Sequence, residues 1–190
     1  AKGSGGAIYQ QQGDIYIETD ATLNFNEANN NGGAIYLGDG TFTVNGNATL
    51  KSNKAISLNG GGIYLGGGSF TVSQNGKLNL GGASQAEGNI AGGNGGGVFC
   101  GAPFTAKGTS IIQNNSAANG GGVYVNTGYS ASFTKKTTLL NNSATANGGA
   151  IYVKGGNITL VENSMNSNTA LNGGAIYLDG GDFTAVGSST

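Results

Sequence analysis

Histidine, arginine and tryptophan are absent from the 190 residues, and cysteine, proline and methionine occur once each. Without histidine the chain lacks the commonest general base and metal ligand. One cysteine permits no internal disulfide, so no disulfide framework holds the fold, and Cys100 alone builds no zinc site. It follows Phe99 where comparable words have Leu37, Leu65, Val125, Val153 and Leu178, and so reads as a buried thiol serving as a small apolar side chain. Charge is scarce as well: eight lysines against nine carboxylates, net −1. No basic stripe is visible along the chain, which argues against nucleic acid or an anionic membrane as partner. No run of eighteen apolar residues exists, so no membrane insertion of this segment is expected. Residues 1–20 lack the charged-then-apolar plan of a signal peptide, so the chain is expected to begin after a removed leader or inside a larger protein.

What is abundant is glycine, 39 of 190, about three times the usual share. With one proline and no three-residue period, collagen is excluded. The glycines are interleaved with apolar words such as AIYL and TFTV, which excludes a disordered glycine-rich tract. The word Asn31-Gly32-Gly33-Ala34-Ile35-Tyr36 recurs with small changes. Its aromatic falls at positions 9, 36, 64, 99, 124, 152 and 177, in steps of 27, 28, 35, 25, 28 and 25 residues. A period in this range marks a solenoid, in which no unit buries its apolar face without neighbours.

One period, Asn31 to Asn59, shows the plan. Asn-Gly-Gly makes a corner, because these residues enter left-handed backbone at least cost. Ala34 to Leu37 alternates, with Ile35 and Leu37 on one face. After Gly38-Asp39-Gly40, Phe42 and Val44 share a face opposite Thr41 and Thr43. Asn45-Gly46-Asn47 turns again into Ala48-Thr49-Leu50, and a polar segment returns to Asn59. The spacing predicts an all-β fold: a single right-handed parallel β-helix over 1–190, of about seven coils of ~25–28 residues with three short strands each. Stacked at ~4.8 Å per coil, seven coils make a rod of about 34 Å.

Stacking the copies predicts columns. Phe42, Phe70, Phe104, Phe133 and Phe183 fall inside; Thr43, Thr71, Thr105, Thr134, Thr159 and Thr184 fall outside. Asn31, Asn59, Asn94, Asn119, Asn147 and Asn172 form a structural ladder at a corner, each amide bonding the next. Tyr9, Tyr36, Tyr64, Phe99, Tyr124, Tyr152 and Tyr177 form an outward stripe, read either as self-stabilising scaffold or as a contact face. The 35-residue step carries a loop insertion at 81–94, either a binding loop or a tolerated excursion. Neither end shows a capping segment, which fits a piece of a longer solenoid or head-to-tail docking of copies.

Chemistry is not evident. Carboxylates are isolated apart from Asp14, Glu18 and Asp20 and the pair Asp179 and Asp182. The β-helices that cleave pectin need clustered aspartates with arginine or lysine beside them, and here the strand faces carry Thr, Ser and Ala. Asp39 and Asp179 form no periodic ladder for calcium. The expectation is therefore no enzyme, no cofactor and no metal. Ice binding would need a flat double column, but beside the threonines stand Thr41, Ser69, Pro103, Ser132, Asn157 and Asp182.

GGAI stands intact at 5–8, 32–35, 148–151 and 173–176. Shortly before the next such word come Leu23-x-x-Asn26, Leu50-x-x-Asn53, Ile111-x-x-Asn114, Leu139-x-x-Asn142 and Leu160-x-x-Asn163. The pattern resembles the chlamydial polymorphic outer-membrane proteins, defined by repeated GGA(I/L/V) and FxxN words, with the Phe here replaced by an aliphatic. Phe42-Thr43-Val44-Asn45 matches FxxN by letters but lies on another strand. The resemblance implies an autotransporter passenger: an extracellular or cell-surface β-helix acting as an adhesin. The partners expected are a host-cell protein or glycan, or further copies meeting at open coil ends to form a filament.

Overall fold

The computed structural model describes residues 1–187. Each coil contributes one strand to each of several parallel sheets, and every strand pairs with its copy one coil away. Sheet A runs from Ile8–Gln10 through Ile35–Leu37 to Ile176–Asp179 in seven strands. Sheet B runs from Ile15–Ile17 to Asp182–Val186, also in seven. Sheet C has six strands, from Ala21–Asn24 to Ser164–Asn166. The parallel solenoid is as expected, with one addition. The polar return segment pairs too, as a fourth sheet D of five strands beginning at Glu27–Ala28. Its first three strands are only two residues long, too short for alternation to register along the chain.

In-register pairing turns the side-chain alternation into an axial core. Ile35, Leu37, Phe42, Val44, Leu50, Leu78, Phe104 and their copies are buried in one continuous cluster. The interior phenylalanine column changes register once. Phe104 pairs with Ala131, while Phe133 pairs with Ala106 and Leu160. A two-residue slip keeps the same face inward, so Phe133 stays buried and still meets Phe104 at 5.2 Å between ring centroids. Consequently Ser132, not Thr134, continues the outward hydroxyl column after Thr105. Phe183 pairs with Ile158 in the last coil and is partly exposed.

The three positions of Gly-Gly-Ala have three different physical roles. Gly32 has φ +69°, which a side chain rarely adopts. Gly33 lies so close to the next coil that a Cβ would sit 2.1 Å from the Gly61 carbonyl oxygen. Ala34 is buried against the core and has room for its methyl. The backbone then bonds straight across, Gly32 N–H to Asn59 O at 2.9 Å and Ala34 N–H to Gly62 O at 3.0 Å.

Only the first part of 81–94 departs from the coil. Residues Gln85–Glu87 form a single 3₁₀ turn, whereas Asn89 and Ile90–Ala91 rejoin the regular path in sheet D. The excursion lies across the C–D corner as a strap. Glu87 pairs with Lys51 at 2.7 Å, and Gln85 Nε2 donates to the Asn141 carbonyl at 2.8 Å. The hydrogen bond from Lys51, then that from the Ala83 N–H, hold the Glu87 carboxyl below its ordinary range.

That same corner is left-handed in five of the coils, at Phe25, Ser52, Asn114, Asn141 and Ser167, with φ between 53° and 58°. Asparagine tolerates this conformation; phenylalanine does not. Phe25 is also 78% exposed, so its ring gains little from packing. Phe25→Asn is expected to raise unfolding free energy by about 1 kcal/mol, read as a higher urea midpoint with unchanged slope. No change in midpoint would show that the ring makes up for its backbone strain.

Candidate functional site

The aromatic column forms in the expected register, Tyr9 on Tyr36 through Tyr152 on Tyr177. Its six successive pairs stack at 4.8 to 5.3 Å with planes within 15° of parallel. It stands outside the axial core as a separate cluster. The expected exposed stripe is largely covered, however. Phe99, Tyr124 and Tyr152 are buried, and only Tyr9, at 56%, is properly exposed. Parallel in-register pairing sets each ring face against its neighbours, so the interior members of the stack present only edges to solvent. Each pair contributes about 0.5–1.5 kcal/mol beyond the burial itself.

Burial, aided by the hydrogen bond that Tyr152 Oη donates to Asp179 at 2.8 Å, pushes the Tyr152 phenol well above its ordinary value. Burial also raises Tyr64 and Tyr124. Since the fold favours the neutral phenol, this stabilisation is complete below the unfolded value of 10.0 and is lost as pH rises through the folded values. The urea midpoint should therefore fall between about pH 10 and 12, and fall less steeply in Tyr152→Phe. Equal slopes in both proteins would remove Tyr152 as the cause.

The asparagine ladder before Gly-Gly is present. Asn59 and Asn94 donate backbone N–H groups to the Oδ1 of Asn31 and Asn59, at 3.0 and 2.9 Å. Asn119, Asn147 and Asn172 use their side-chain amides instead, at 2.9 to 3.0 Å. A second ladder lies deeper, formed by Asn26, Asn53, Asn89, Asn115, Asn142 and Asn168. Each Oδ1 from Asn53 onward accepts both the backbone N–H and the side-chain amide of the preceding member. From Asn53 onward each side-chain amide also donates to a carbonyl in the preceding coil, such as Asn115 to Leu80 at 3.0 Å.

The FxxN-like words located half of this ladder. Asn26, Asn53 and Asn142 belong to it. Asn114 is off by one, since Asn115 is the rung and Asn114 holds the left-handed corner. Asn163 sits at the B–C corner of the sixth coil, and Asn168 takes the rung there. Asn89 and Asn168 went unread. One signal would have found them all: each rung precedes the asparagine of the next Asn-Gly-Gly, or Asn-Gly, word by four to six residues.

Residues 136–154 match the Chlamydia polymorphic membrane protein (Chlamydia_PMP) repeat. The chain thus carries a PMP-like repeat. The matched stretch holds rungs of both ladders, Asn142 and Asn147, and the word Gly148-Gly149-Ala150-Ile151. No curated protein and no solved structure matches the chain. The PMP repeat on a β-solenoid fits a surface-exposed β-helix.

The remaining polar and reactive groups of the coils are placed as follows. Cys100 is buried in sheet A, where burial raises its thiol far above the usual range. Asp14 accepts from the Thr41 backbone and hydroxyl at 2.8 and 2.7 Å, Glu18 from Asn45, and Asp20 from Asn47. Each of these carboxylates thus clasps the next coil. Among the described residues no three acidic, cysteine or histidine side chains gather where they could hold a metal ion. No helix among them is long and apolar enough to cross a membrane.

Proposed function

We propose that the chain is a non-enzymatic, extracellular segment of a cell-surface protein, an autotransporter-type passenger that acts in adhesion to a host-cell protein or glycan. The observation that carries this is the PMP repeat at 136–154, set in a solenoid whose outward columns are presented at one position per coil. Such a surface recognises by shape and repeated polar groups, and needs neither cofactor nor metal.

Within the aromatic column contact falls to Tyr9, which is exposed, and not to the buried central rings. The test is binding of the purified chain to host cells, with Tyr9→Ser and Tyr16→Ser as variants that disturb no core residue. Specific, saturable binding supports adhesion. Its absence on every cell type tried sinks the reading; binding unchanged by Tyr9→Ser removes that ring of the column as the contact, and binding unchanged by Tyr16→Ser removes the outer face of sheet B beside it.

A filament built end to end would set the exposed Leu178, Phe183 and Val186 of the last described coil against another copy. Against it, the first coil carries Asp14, Glu18, Asp20 and Glu27, and the last carries Asp179 and Asp182. Like charges would meet at such a junction. Sedimentation velocity decides between them, and a monomer at high concentration and moderate salt removes the filament.

A further inference from the structure

The net charge of −1 conceals a strong segregation along the solenoid. Residues 1–50 hold one lysine and five carboxylates; residues 51–161 hold seven lysines and one carboxylate; residues 162–190 hold three carboxylates and no lysine. The single carboxylate of the middle stretch, Glu87, is taken by Lys51. Folding gathers four of the other six lysines. Lys77 opens a strand of sheet C, Lys107 follows the adjacent strand of sheet B in the next coil, and Lys135 and Lys136 join sheets B and C in the coil after that. Four exposed ammonium groups therefore lie along one corner within three successive coils, a span of about 10 Å.

This corner differs from the rest of the surface. Lys135 Nζ donates to the Gln74 carbonyl at 3.2 Å, reaching across the coil that carries Lys107. Between them lies a shallow cleft of about 240 Å³ lined by Gln74, Lys107, Thr134 and Lys135. Hydroxyl groups flank it: Thr71, Thr105 and Ser132 stand in register on the outer face of sheet B, and Thr109 opens the adjoining strand. The nearest acids on this edge are Glu162, one coil beyond, and Glu18 and Asp20, two coils before, the latter two already bonded to Asn45 and Asn47. Four like charges held this close repel one another, and an anion relieves that repulsion.

We propose that the Lys77–Lys107–Lys135–Lys136 corner binds a sulfated polysaccharide. Sulfate groups meet the ammonium ions, and sugar hydroxyls meet the threonine and serine column beside them. A linear polyanion running along the axis meets a new row of donors at each coil. Nucleic acid fits less well, because no exposed aromatic ring lies at this corner for bases to stack on. A membrane fits less well too, because no exposed large apolar side chain stands among these lysines to enter it. The proposal names the ligand class of the adhesion reading and rests on it for where such chains are met.

The decisive measurement is affinity of the purified chain for heparin at about 0.15 M salt, where exposed charges are screened beyond ~8 Å. It is made for the natural chain, for Lys77→Gln/Lys107→Gln/Lys135→Gln/Lys136→Gln, and for the charge control Lys2→Gln/Lys54→Gln/Lys154→Gln. All seven lysines are exposed, and a urea midpoint on each variant verifies folding. The natural chain and the control should bind alike, with affinity falling as salt rises, and the corner variant should lose about tenfold or more. Desulfated heparin should not compete. The proposal is overturned by a corner variant that binds as the natural chain does, by equal competition from desulfated heparin, or by equal binding to DNA fragments or phosphatidylserine vesicles. Cell binding that survives both the corner substitutions and removal of cell-surface sulfate overturns this inference and leaves adhesion standing. Lysine-dependent heparin binding with no cell binding does the reverse.

Discussion

Asn115→Ala should lower the unfolding free energy by about 3–5 kcal/mol, a loss otherwise associated with large core truncations. Asn115 is fully buried, and its amide is the middle rung of the inner ladder. Its Oδ1 accepts from the Asn89 backbone and side chain at 3.0 and 2.9 Å, while its Nδ2 donates to Leu80 O and Asn142 Oδ1, both at 3.0 Å. Truncation leaves two donors and one acceptor inside the protein with no water to replace the partner, and each such orphan costs about 1–3 kcal/mol. Asn119→Ala, on the half-exposed outer ladder, removes similar bonds where water can enter, so its cost should be about 1 kcal/mol. Urea unfolding of the two variants side by side checks the contrast. Equal small losses would mean that the inner ladder is satisfied by water or relaxes locally, and that it does not brace the coils.

The second large effect concerns adjacent glycines. Gly121→Ala should cost at least ~4 kcal/mol or prevent folding, whereas Gly122→Ala should change stability by about 1 kcal/mol at most. At Gly121 a Cβ would lie 2.4 Å from both the Gly149 and Ser143 carbonyl oxygens, which belong to the backbone of the next coil and cannot move without breaking the sheets on either side. At Gly122 the nearest atom is the Ala150 carbonyl oxygen at 2.7 Å. That spacing is already accommodated elsewhere, since the equivalent positions 34 and 150 are alanine and buried in the core. Soluble yield, circular dichroism and urea midpoint separate the two variants. A stable, cooperative Gly121→Ala protein would show that coil spacing is adjustable and that Gly-Gly is not there for close approach.

Much of this molecule can be read along the chain because its repeat is nearly a single equation solved seven times. Alternation places Ile35 and Leu37 inward without reference to anything distant, and a period near 27 places their copies on top of them. The same logic produced the outer asparagine ladder and the register of the tyrosine column. It failed where a property depends on the gap between coils and not on the pattern within one. Whether Tyr124 is exposed is set by the rings above and below it, not by its own strand, so an outward position became a buried one. The inner rungs Asn89 and Asn168 were missed because their flanking letters vary, while the bond geometry does not. Sheet D was missed because two-residue strands carry no period. The phenylalanine register slipped by two at Ala131, a change invisible to alternation because it leaves the face unaltered.

Architecture and coil number follow from composition and spacing, since both are local or periodic quantities. The lysine corner follows from neither. Lys77, Lys107, Lys135 and Lys136 are separated by up to 59 residues, among too few charges to form a run, and linear order shows no basic stripe. Only winding the chain brings them side by side, because the coil converts a separation of about thirty residues into one of ~4.8 Å. The repeat decided that there would be columns; what each column exposes, buries or charges was decided by the stacking.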